Sequence, residues 1–352
     1  MLHRLNLFSV LLGAAVIVGV EGASNILLKP VMAATFALDE TGYTGVALSD
    51  LNYAIGVLDQ QINSPVPITI QATFGPLPAD APKDAIGGAM PTSFTTEVKG
   101  ALPNTEYPIA LAHAINSTPS APGKPDITLT LNSQANWYYG IDPIDPMQLN
   151  QQSDFISTVL HEVSHGLGFA GTADYKDGIG SLGVGSTEID YLGGDANTPD
   201  IYDRFVVNGL NQSITSFPNK SEALGDQLVS NNLFFNGPNA IAANGGNEPK
   251  LYAPTTWKDG SSYSHLDQDT YDTPGNPNAD LIPADPRVAY PIRQIGPITL
   301  GILEDEGWSV NQNTTPVPEP MSPVLDTLTF SILGIGYMLN KQRKQKKSGK
   351  FI

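Results

Sequence analysis

The segment that most constrains this chain is His161-Glu162-Val163-Ser164-His165, in which two histidines stand four residues apart. Residues four apart on an α-helix lie on the same face, so both imidazoles can bind one metal ion. Glu162 then lies beside that ion, where its carboxylate can take a proton from a zinc-activated water. The spacing predicts a zinc site with His161 and His165 as ligands and Glu162 as the catalytic base.

The flanking residues predict the helix that this spacing requires. Apolar side chains recur at helical spacing over residues 155–167, Ser153 is a candidate N-cap, and Asp154 suits the first helical turn. Gly166 and Gly168 favour an end to the helix directly after the second histidine. The alternative is a surface helix that carries two histidines by chance.

The N-terminus has the pattern of a secretory signal peptide. An apolar run over residues 5–20 follows Arg4, and small residues place the cleavage point near Ala33 or Ala34. We expect residues 1–34 to be removed on export. A retained membrane anchor is the alternative, although the apolar run is short for a membrane span.

The C-terminus carries a different signal. A linker, residues 311–322, contains Val317-Pro318-Glu319-Pro320 and leads to an apolar segment, residues 323–340, that predicts a transmembrane span. Residues 341–352 form a basic tail, which favours the cytoplasmic side of a membrane. This order resembles the PEP-CTERM sorting tails of exported bacterial proteins. The resemblance implies processing by an exosortase-type membrane enzyme, with delivery to the cell surface or the extracellular matrix. An ordinary tail anchor is the alternative.

The charge of the chain excludes some partners. The sequence has 35 Asp and Glu against 18 Lys and Arg, a formal net charge of −17, and the basic residues concentrate in the C-terminal tail. Such a surface repels nucleic acid and anionic lipid headgroups. The chain has no cysteine, so disulfide bonds contribute nothing to its stability. A hydrophobic core and bound metal must supply it instead.

The region between the two ends predicts an α+β domain with two parts. The first part, residues 35–150, is an N-terminal subdomain of mixed strand and helix, with predicted strands at 67–74 and 126–131, a helix at 107–115 and a surface loop at 75–88. The second part, residues 151–310, contains the zinc helix and a loop-rich C-terminal subdomain, with loops dominating 171–291, a short strand at 202–207 and a helix at 297–307.

The zinc site needs a third protein ligand, because catalytic zinc usually has three and keeps one position open. Besides the motif pair, the chain without its leader retains only His113 and His265. His265 lies in a polar loop, residues 261–267, whereas His113 lies in an apolar helical pattern and is interpreted as structural. His265 is therefore the preferred ligand. A loop histidine bonded to the backbone is the alternative for His265, and Asp174 and Glu188 are weaker candidates for the third position.

Three stretches, HEVSHGLGF, SHLDQDTY and LGILEDEGW, resemble the leishmanolysin-like branch of the metzincin zinc proteases over residues 126–310. The chain also looks like a bacterial group of exported proteins with the same motif. In that branch the third histidine follows a long insertion, which implies His265. In the shorter metzincin pattern Gly168 matches, but Gly171 replaces the last histidine and has no side chain for zinc. The resemblance implies a zincin/metzincin-like α+β fold and hydrolysis of peptide bonds.

The chain departs from the metzincin pattern beneath the zinc. Metzincins carry a methionine in a turn there, and the matching stretch, residues 279–283, has Ile282 at that position. The methionine is not a ligand, and an apolar side chain of similar volume can fill the same floor. We therefore expect the substitution to affect activity more than zinc binding.

Several acidic and aromatic residues have two interpretations. A calcium (Ca2+) site or a solvated acidic surface is predicted for two loops, which contain Asp267, Asp269, Asp272 and Asp280 in one and Asp190, Asp195, Asp200 and Asp203 in the other. Tyr263 and Tyr271 either stabilise an oxyanion or pack. By the metzincin resemblance, the predicted strand 126–131 could pair with an extended substrate, whereas Trp137 and Tyr139 could belong to the core.

The sequence thus predicts an exported, surface-sorted zinc (Zn2+) endopeptidase. His161, His165 and His265 bind the metal, Glu162 is the general base, and a protein or peptide is the substrate. Two alternatives stay open. One is a surface or matrix binding protein that kept the zinc fold and lost catalysis, and the other is a zinc hydrolase of a non-peptide bond.

Overall fold

The computed structural model describes residues 36–312, except 79–80, 82–84, 143–148, 150, 184–196, 274–275, 279–280 and 282–290. The predicted signal peptide, the Pro-Glu-Pro segment, the transmembrane span and the basic tail lie outside the described residues. So do Asp190, Asp195, Glu188, Asp280 and Ile282. The predictions on these residues, and the domain boundaries, stay predictions.

The helices and strands alternate along the chain. The helices are α1 (Gly45–Gln61), α2 (Ile109–Asn116), α3 (Phe155–Leu167), α4 (Glu222–Leu228), α5 (Pro238–Ala243), α6 (Gln268–Tyr271) and α7 (Pro297–Glu306). Two 3-10 helices span Tyr202–Phe205 and Ile214–Ser216. The strands are β1 (Phe36–Thr41), β2 (Ile62–Asn63), β3 (Ile68–Gly75), β4 (Gly87–Pro91), β5 (Phe94–Thr95), β6 (Tyr107–Pro108), β7 (Ile127–Asn132), β8 (Trp137–Tyr138), β9 (Ser153–Asp154), β10 (Asp174–Lys176), β11 (Ile179–Ser181), β12 (Val206–Asn208), β13 (Leu233–Phe235) and β14 (Ser309–Val310).

The main sheet has four strands in the order β1-β3-β7-β4. β1, β3 and β7 are parallel, and β4 runs antiparallel to β7 at one edge. In β7 the alternate residues Ile127, Leu129 and Leu131 are buried, as the two-residue period of a strand with one core face requires. Helix α3 packs against α1, β4 and β7. The described residues therefore form an α+β fold with mixed sheets, as predicted.

The three elements predicted in the first part agree with the structure to within two residues, whereas helix α1 was not predicted. The strands predicted at 67–74 and 126–131 are β3 and β7, and the helix predicted at 107–115 is α2. The loop predicted at 75–88 is too long, because β3 includes residue 75 and β4 begins at residue 87.

The second part is more regular than the loop composition predicts. Short hairpins, β10 with β11 and β12 with β13, and helices α4, α5 and α6 interrupt the region 171–291. The strand predicted at 202–207 is wrong for its first four residues, which form a 3-10 helix. There Asp203 accepts a bond from the backbone nitrogen of Asp200 (3.1 Å), and Asp200 accepts one from that of Asp203 (3.0 Å). These local bonds compete with an extended chain.

Helix α7 has the predicted bounds to within one residue, and a hydrogen bond just after it links the chain to the end of α3. Pro297 occupies the first turn, the helix ends at Glu306, and Gly307 follows with a φ of 125°. The indole nitrogen of Trp308 donates to the carbonyl oxygen of Leu167 at 2.9 Å. The last turn of the candidate zinc helix is thereby tied to α7. None of the helices within the described ranges combines the length and apolar character that a membrane crossing demands.

Candidate metal centre

Helix α3 begins at an N-cap that Arg293 fixes. The N-cap is Asp154, whose Oδ1 accepts from the backbone nitrogen of Ser157 at 2.8 Å. Ser153, the predicted cap, instead lies in β9 and pairs with Trp137. The guanidinium of Arg293 binds both Asp154 oxygens, at 2.8 and 3.0 Å. The start of the helix is therefore held by a buried bidentate ion pair.

The end of α3 needs its glycines for two different reasons. Gly166 is inside the helix rather than a terminator, and a Cβ there would lie 2.4 Å from Cγ2 of Ile127 in β7. The missing side chain lets the helix approach the sheet. Gly168 is the C-cap, with a φ of 132°. The predicted end of the helix at this residue is correct.

Three imidazoles converge on one point. The Nε2 atom of His161 lies 3.1 Å from Nε2 of His165 and 3.2 Å from Nε2 of His265. His161 and His165 are one turn apart on α3, and His265 comes from the loop before α6. Nitrogen ligands about 2.0–2.1 Å from a tetrahedral metal ion are separated by roughly 3.3 Å. The three nitrogens therefore fit a shared metal ion, and among the described residues no other group of three His, Cys, Asp or Glu side chains does so.

The other ring nitrogens orient two of these imidazoles. Nδ1 of His165 bonds to the carbonyl oxygen of Phe169 at 2.6 Å, and Nδ1 of His265 bonds to that of Ser261 at 2.8 Å. A carbonyl only accepts, so both Nδ1 atoms carry the proton and both Nε2 atoms keep a lone pair. The sequence left open whether His265 is a ligand or a loop histidine bonded to the backbone. The two are compatible, because the backbone bond uses Nδ1 and leaves Nε2 for the metal.

Burial keeps the two oriented imidazoles neutral. Burial and, to a smaller extent, the charge of His161 lower the pKa of His165 to about 3. The pKa of His265 is also well below its usual range, chiefly from burial and then from the charges of His165 and His161. A metal ion binds the neutral form of imidazole, so both side chains are in the ligand form at neutral pH.

The loop that carries His265 occupies the space beside Gly171. A Cβ at Gly171 would lie 2.0 Å from the ring of Tyr263, and the backbone nitrogen of Gly171 donates to Oγ of Ser264 at 3.2 Å. Tyr263 is fully buried and has a φ of 74°. The segment just after the helix thus supplies no ligand itself and supports the distant segment that supplies His265.

Glu162 lies between the histidines and the edge of the sheet. It is partly buried, and its Oε2 accepts from the backbone nitrogen of Ala89 in β4 at 3.2 Å. Burial raises the pKa of Glu162, while the charge of His161 and the bond from Ala89 lower it. The carboxylate therefore has one oxygen held by the sheet and a pKa raised toward neutrality, which suits proton transfer.

The other candidate ligands among the described residues do not belong to the histidine group. Nδ1 of His113 is 2.7 Å from Oδ1 of Asp126, an ion-pair geometry that agrees with its interpretation as structural. Asp174 is in β10 and does not belong to the histidine group. Glu188 is outside the described residues.

The predicted calcium loop around Asp267 is explained without an ion. Asp267 caps α6 by accepting from the backbone nitrogen of Thr270 at 3.1 Å, and its Oδ2 lies 3.3 Å from Nζ of Lys250.

Tyr271 packs beside Asp267, with its hydroxyl accepting from the backbone nitrogen of Lys250 at 3.3 Å. Tyr263 donates its hydroxyl to Asp203 at 2.9 Å. Both tyrosines therefore have packing roles in this structure.

The prediction that strand 126–131 could pair with the substrate is wrong, because this strand is β7, which pairs with β3 on one side and β4 on the other. The edge strand next to β7 is β4. Trp137 is in the core, with its ring centroid 5.2 Å from that of Phe155, and the ring of Tyr139 is also 5.2 Å from Phe155. The core interpretation of these two aromatic residues agrees with the structure.

Comparison with known proteins gives one partial match. A family model described as SPBPB7E8-like matches residues 61–179, a stretch that includes the main part of the sheet and all of α3 but ends before His265. Neither the curated proteins nor the solved structures include a match to this chain.

Proposed function

We propose that this protein is a zinc-dependent hydrolase and that peptide bonds are its substrates. The proposal rests on one observation, the convergence of Nε2 of His161, His165 and His265 at 3.1–3.2 Å. Backbone carbonyls hold the opposite nitrogens of His165 and His265. The nitrogen-only ligand set and the closed spacing favour zinc over the oxygen-preferring cations.

The roles of the side chains follow from their positions. Bound zinc would supply a Lewis acid that activates water and polarises the scissile carbonyl. His161, His165 and His265 hold the ion, and Glu162 accepts the proton from the attacking water and passes it to the leaving amine. The bond from Ala89 occupies Oε2 of Glu162 and leaves Oε1 as the oxygen proposed to move the proton.

The edge of the sheet favours a peptide over other substrates. The bonds from Thr92 to the carbonyl of Asp126 and from Asn132 to the carbonyl of Ile86 define the paired positions of β4 and β7. Backbone groups alternate in an antiparallel pair, so the odd-numbered residues of β4, Ala89 among them, face away from β7 toward Glu162. An extended peptide can pair along such an edge. The metzincin resemblance implies the same three features, which are a zinc helix, an edge strand beside it and a third histidine from a distant segment.

The sequence of the two ends supports a location outside the cytoplasm. The leader at residues 1–34 and the tail at 311–352 fit an exported bacterial protein that an exosortase-type enzyme sorts to the surface. We propose this localisation on the sequence pattern alone. The experiment is to express the chain with and without residues 1–34 and to compare its delivery to the cell surface.

Zinc content and turnover test the proposed activity together. We expect about one zinc per purified chain and its loss in His265→Ala, whereas His113→Gln, which keeps a donor for Asp126, should retain the metal. Glu162→Gln should keep zinc and lose most peptide hydrolysis. Wild-type protein without zinc would refute the proposal. Zinc without cleavage of any peptide or ester would favour the binding-protein alternative, and cleavage of esters alone would favour the non-peptide hydrolase.

A further inference from the structure

A second group of acidic side chains is buried behind the zinc ligands. Asp200, Asp203 and Glu306 are each at most 2% exposed. They come from two separate parts of the chain, because Asp200 and Asp203 lie at the 3-10 helix Tyr202–Phe205 and Glu306 lies in the last turn of α7. No Lys or Arg of the described residues is among the charges that influence their pKa values. The group is therefore a concentration of buried carboxyl groups without a basic neighbour among these charges.

Asp203 is fully hydrogen-bonded by the protein. Its Oδ1 accepts from the Tyr263 hydroxyl at 2.9 Å and from the backbone nitrogen of Thr172 at 3.1 Å. Its Oδ2 accepts from the Thr172 hydroxyl and from the backbone nitrogen of Asp200. These bonds account for all the acceptor positions that a structural carboxylate needs. Asp203 has no requirement for another ligand.

Glu306 and Asp200 are different. Neither Oε1 nor Oε2 of Glu306 has a hydrogen-bond partner, and Oδ2 of Asp200 has none either, although these atoms are buried. Only Oδ1 of Asp200 is used, by the backbone nitrogen of Asp203 at 3.0 Å. Buried polar atoms are nearly always paired with protein or with a bound group. Three unpaired carboxylate oxygens on two fully buried side chains point to a ligand.

The surroundings bring these oxygens into one region. A Cβ at Gly168 would lie 2.7 Å from Oε2 of Glu306 and 3.3 Å from Cγ of Pro108. Glu106, two residues before Pro108, forms a parallel backbone bridge with Asp200. The negative charge of Glu306 also raises the pKa of Asp200. Glu306 therefore lies next to the C-cap of α3, and Asp200 lies on the segment paired with the chain just before Pro108.

The chemistry of these groups selects the ligand. Two carboxylates offer only hard oxygen donors and up to two negative charges, and they lie apart from the three imidazoles. Calcium prefers carboxylate and carbonyl oxygens and tolerates irregular geometry, whereas zinc prefers nitrogen and sulfur. We propose that Glu306 and Asp200 bind a Ca2+ ion at the end of α3. Asp200 belongs to one of the two acidic loops that the sequence suggested, whereas Glu306 belongs to neither.

The position of the site gives it a structural role for the zinc centre. Gly168 adjoins Phe169, whose carbonyl oxygen holds Nδ1 of His165 at 2.6 Å. An ion bound by Glu306 would join α7 to the end of α3 and hold that carbonyl in place. Calcium should therefore stabilise the fold and slow the loss of zinc. The competing explanation is that both acids are protonated and need no ion.

Calcium titration of the full chain distinguishes these explanations. We expect calorimetric binding of Ca2+ and a rise in the unfolding temperature on the order of 5 °C when Ca2+ reaches about 100 times its dissociation constant. Glu306→Gln and Asp200→Asn should lose both effects. Glu304→Gln, an acid in the same helix that has no place in the site, should keep them. Mg2+ should give a weaker response, because it demands stricter geometry.

Two outcomes would overturn the inference. One is wild-type protein that shows no Ca2+ heat and no shift in unfolding temperature, a result that needs no variant to fold. The other is Glu306→Gln protein that is as stable as wild type in Ca2+, as expected if Glu306 is protonated. The heat of Ca2+ binding and the rise in unfolding temperature must also persist in His161→Ala, which removes a proposed zinc ligand. Zinc chemistry and calcium binding can therefore fail independently.

Discussion

The Nε2 atom of His265 lies 3.2 Å from that of His161, although 104 residues separate the two in sequence. Bringing such distant residues together costs chain entropy, so other bonds must hold the loop. The carbonyl of His265 accepts from the backbone nitrogen of Tyr252 at 2.9 Å, and the carbonyl of Tyr252 accepts from that of Tyr263 at 2.7 Å. The third imidazole is thus positioned by the protein backbone rather than by a metal.

This arrangement predicts that zinc removal leaves the fold intact. The metal-free protein should keep its near-UV circular dichroism and unfold cooperatively at a lower temperature, in contrast to small domains that unfold without zinc. The measurement is thermal unfolding after treatment with 1,10-phenanthroline, which binds zinc and leaves calcium. Unfolding on zinc removal at 25 °C would show that the metal, and not the loop, assembles the three histidines.

Gly171 should be one of the least replaceable residues near the site. In Gly171→Ala the new Cβ would meet the Tyr263 ring at 2.0 Å and Oδ1 of Asp203 at 2.7 Å. Both neighbours are buried, so we expect a loss of about 1–3 kcal/mol in the free energy of unfolding and weaker zinc binding as the His265 loop shifts. Gly75→Ala, which meets no atom within 4 Å, is the control. Urea unfolding and zinc titration measure the two effects. Unchanged zinc affinity would show that Gly171 does not help to position the His265 loop.

Sequence patterns predict the periodic elements well, because each pattern is local. The apolar stripe of α3, the alternation in β3 and β7 and the Pro297-to-Gly307 signals of α7 are correct in type and nearly so in extent. Helix α1 is missed, and so is the edge strand β4, because β4 reads Gly-Gly-Ala-Met-Pro and has no strong strand former. Alternation within one strand also carries no information on its neighbours, so β7 was assigned to the wrong place in the sheet.

The site is predictable where a motif exists and unpredictable where only packing decides. His161, Glu162 and His165 follow from their spacing, and His265 follows from elimination and resemblance. The tie between Glu162 and Ala89 depends on the sheet order, and no sequence signal marks it. Glu306 also has no signal, because an acid near a helix end is ordinarily on the surface. Its burial depends on tertiary structure, which places the end of α7 beside Gly168 and Trp308 against Leu167.

Arg293 should contribute more to stability than any surface ion pair. Its guanidinium binds both oxygens of Asp154 and the carbonyls of Gly140 and Ile141, at 2.7–3.0 Å. Arg293→Ala leaves the buried carboxylate of Asp154 unpaired at the start of α3, for an expected loss of about 3–5 kcal/mol. Arg293→Lys keeps the charge and loses the bidentate geometry, so it should recover only part of that loss. Denaturant unfolding compares the three proteins, and equal stability of Lys and Arg would show that charge alone matters.

The stability of the calcium-free protein should fall as the pH rises. Burial and the charge of Asp305 hold the pKa of Glu306 well above its ordinary value of 4.5, and the pKa values of Asp200 and Asp203 are raised as well. A carboxyl with a raised folded-state pKa binds its proton more tightly in the folded state. Its contribution is therefore fully present below pH 4.5 and is lost as the pH rises through the folded-state pKa.

Glu306→Gln isolates this contribution, because Gln keeps the shape of the acid and does not titrate. Without calcium, the unfolding free energy of wild type minus that of Glu306→Gln should decrease from pH 4.5 to pH 8. Saturating Ca2+ should reverse that trend, since the ion stabilises the charged form of Glu306. The groups that titrate in this pH range in both proteins largely cancel in the difference. A pH-independent difference without calcium would mean that the pKa of Glu306 is the same in the folded and unfolded states, contrary to the effect expected from its burial.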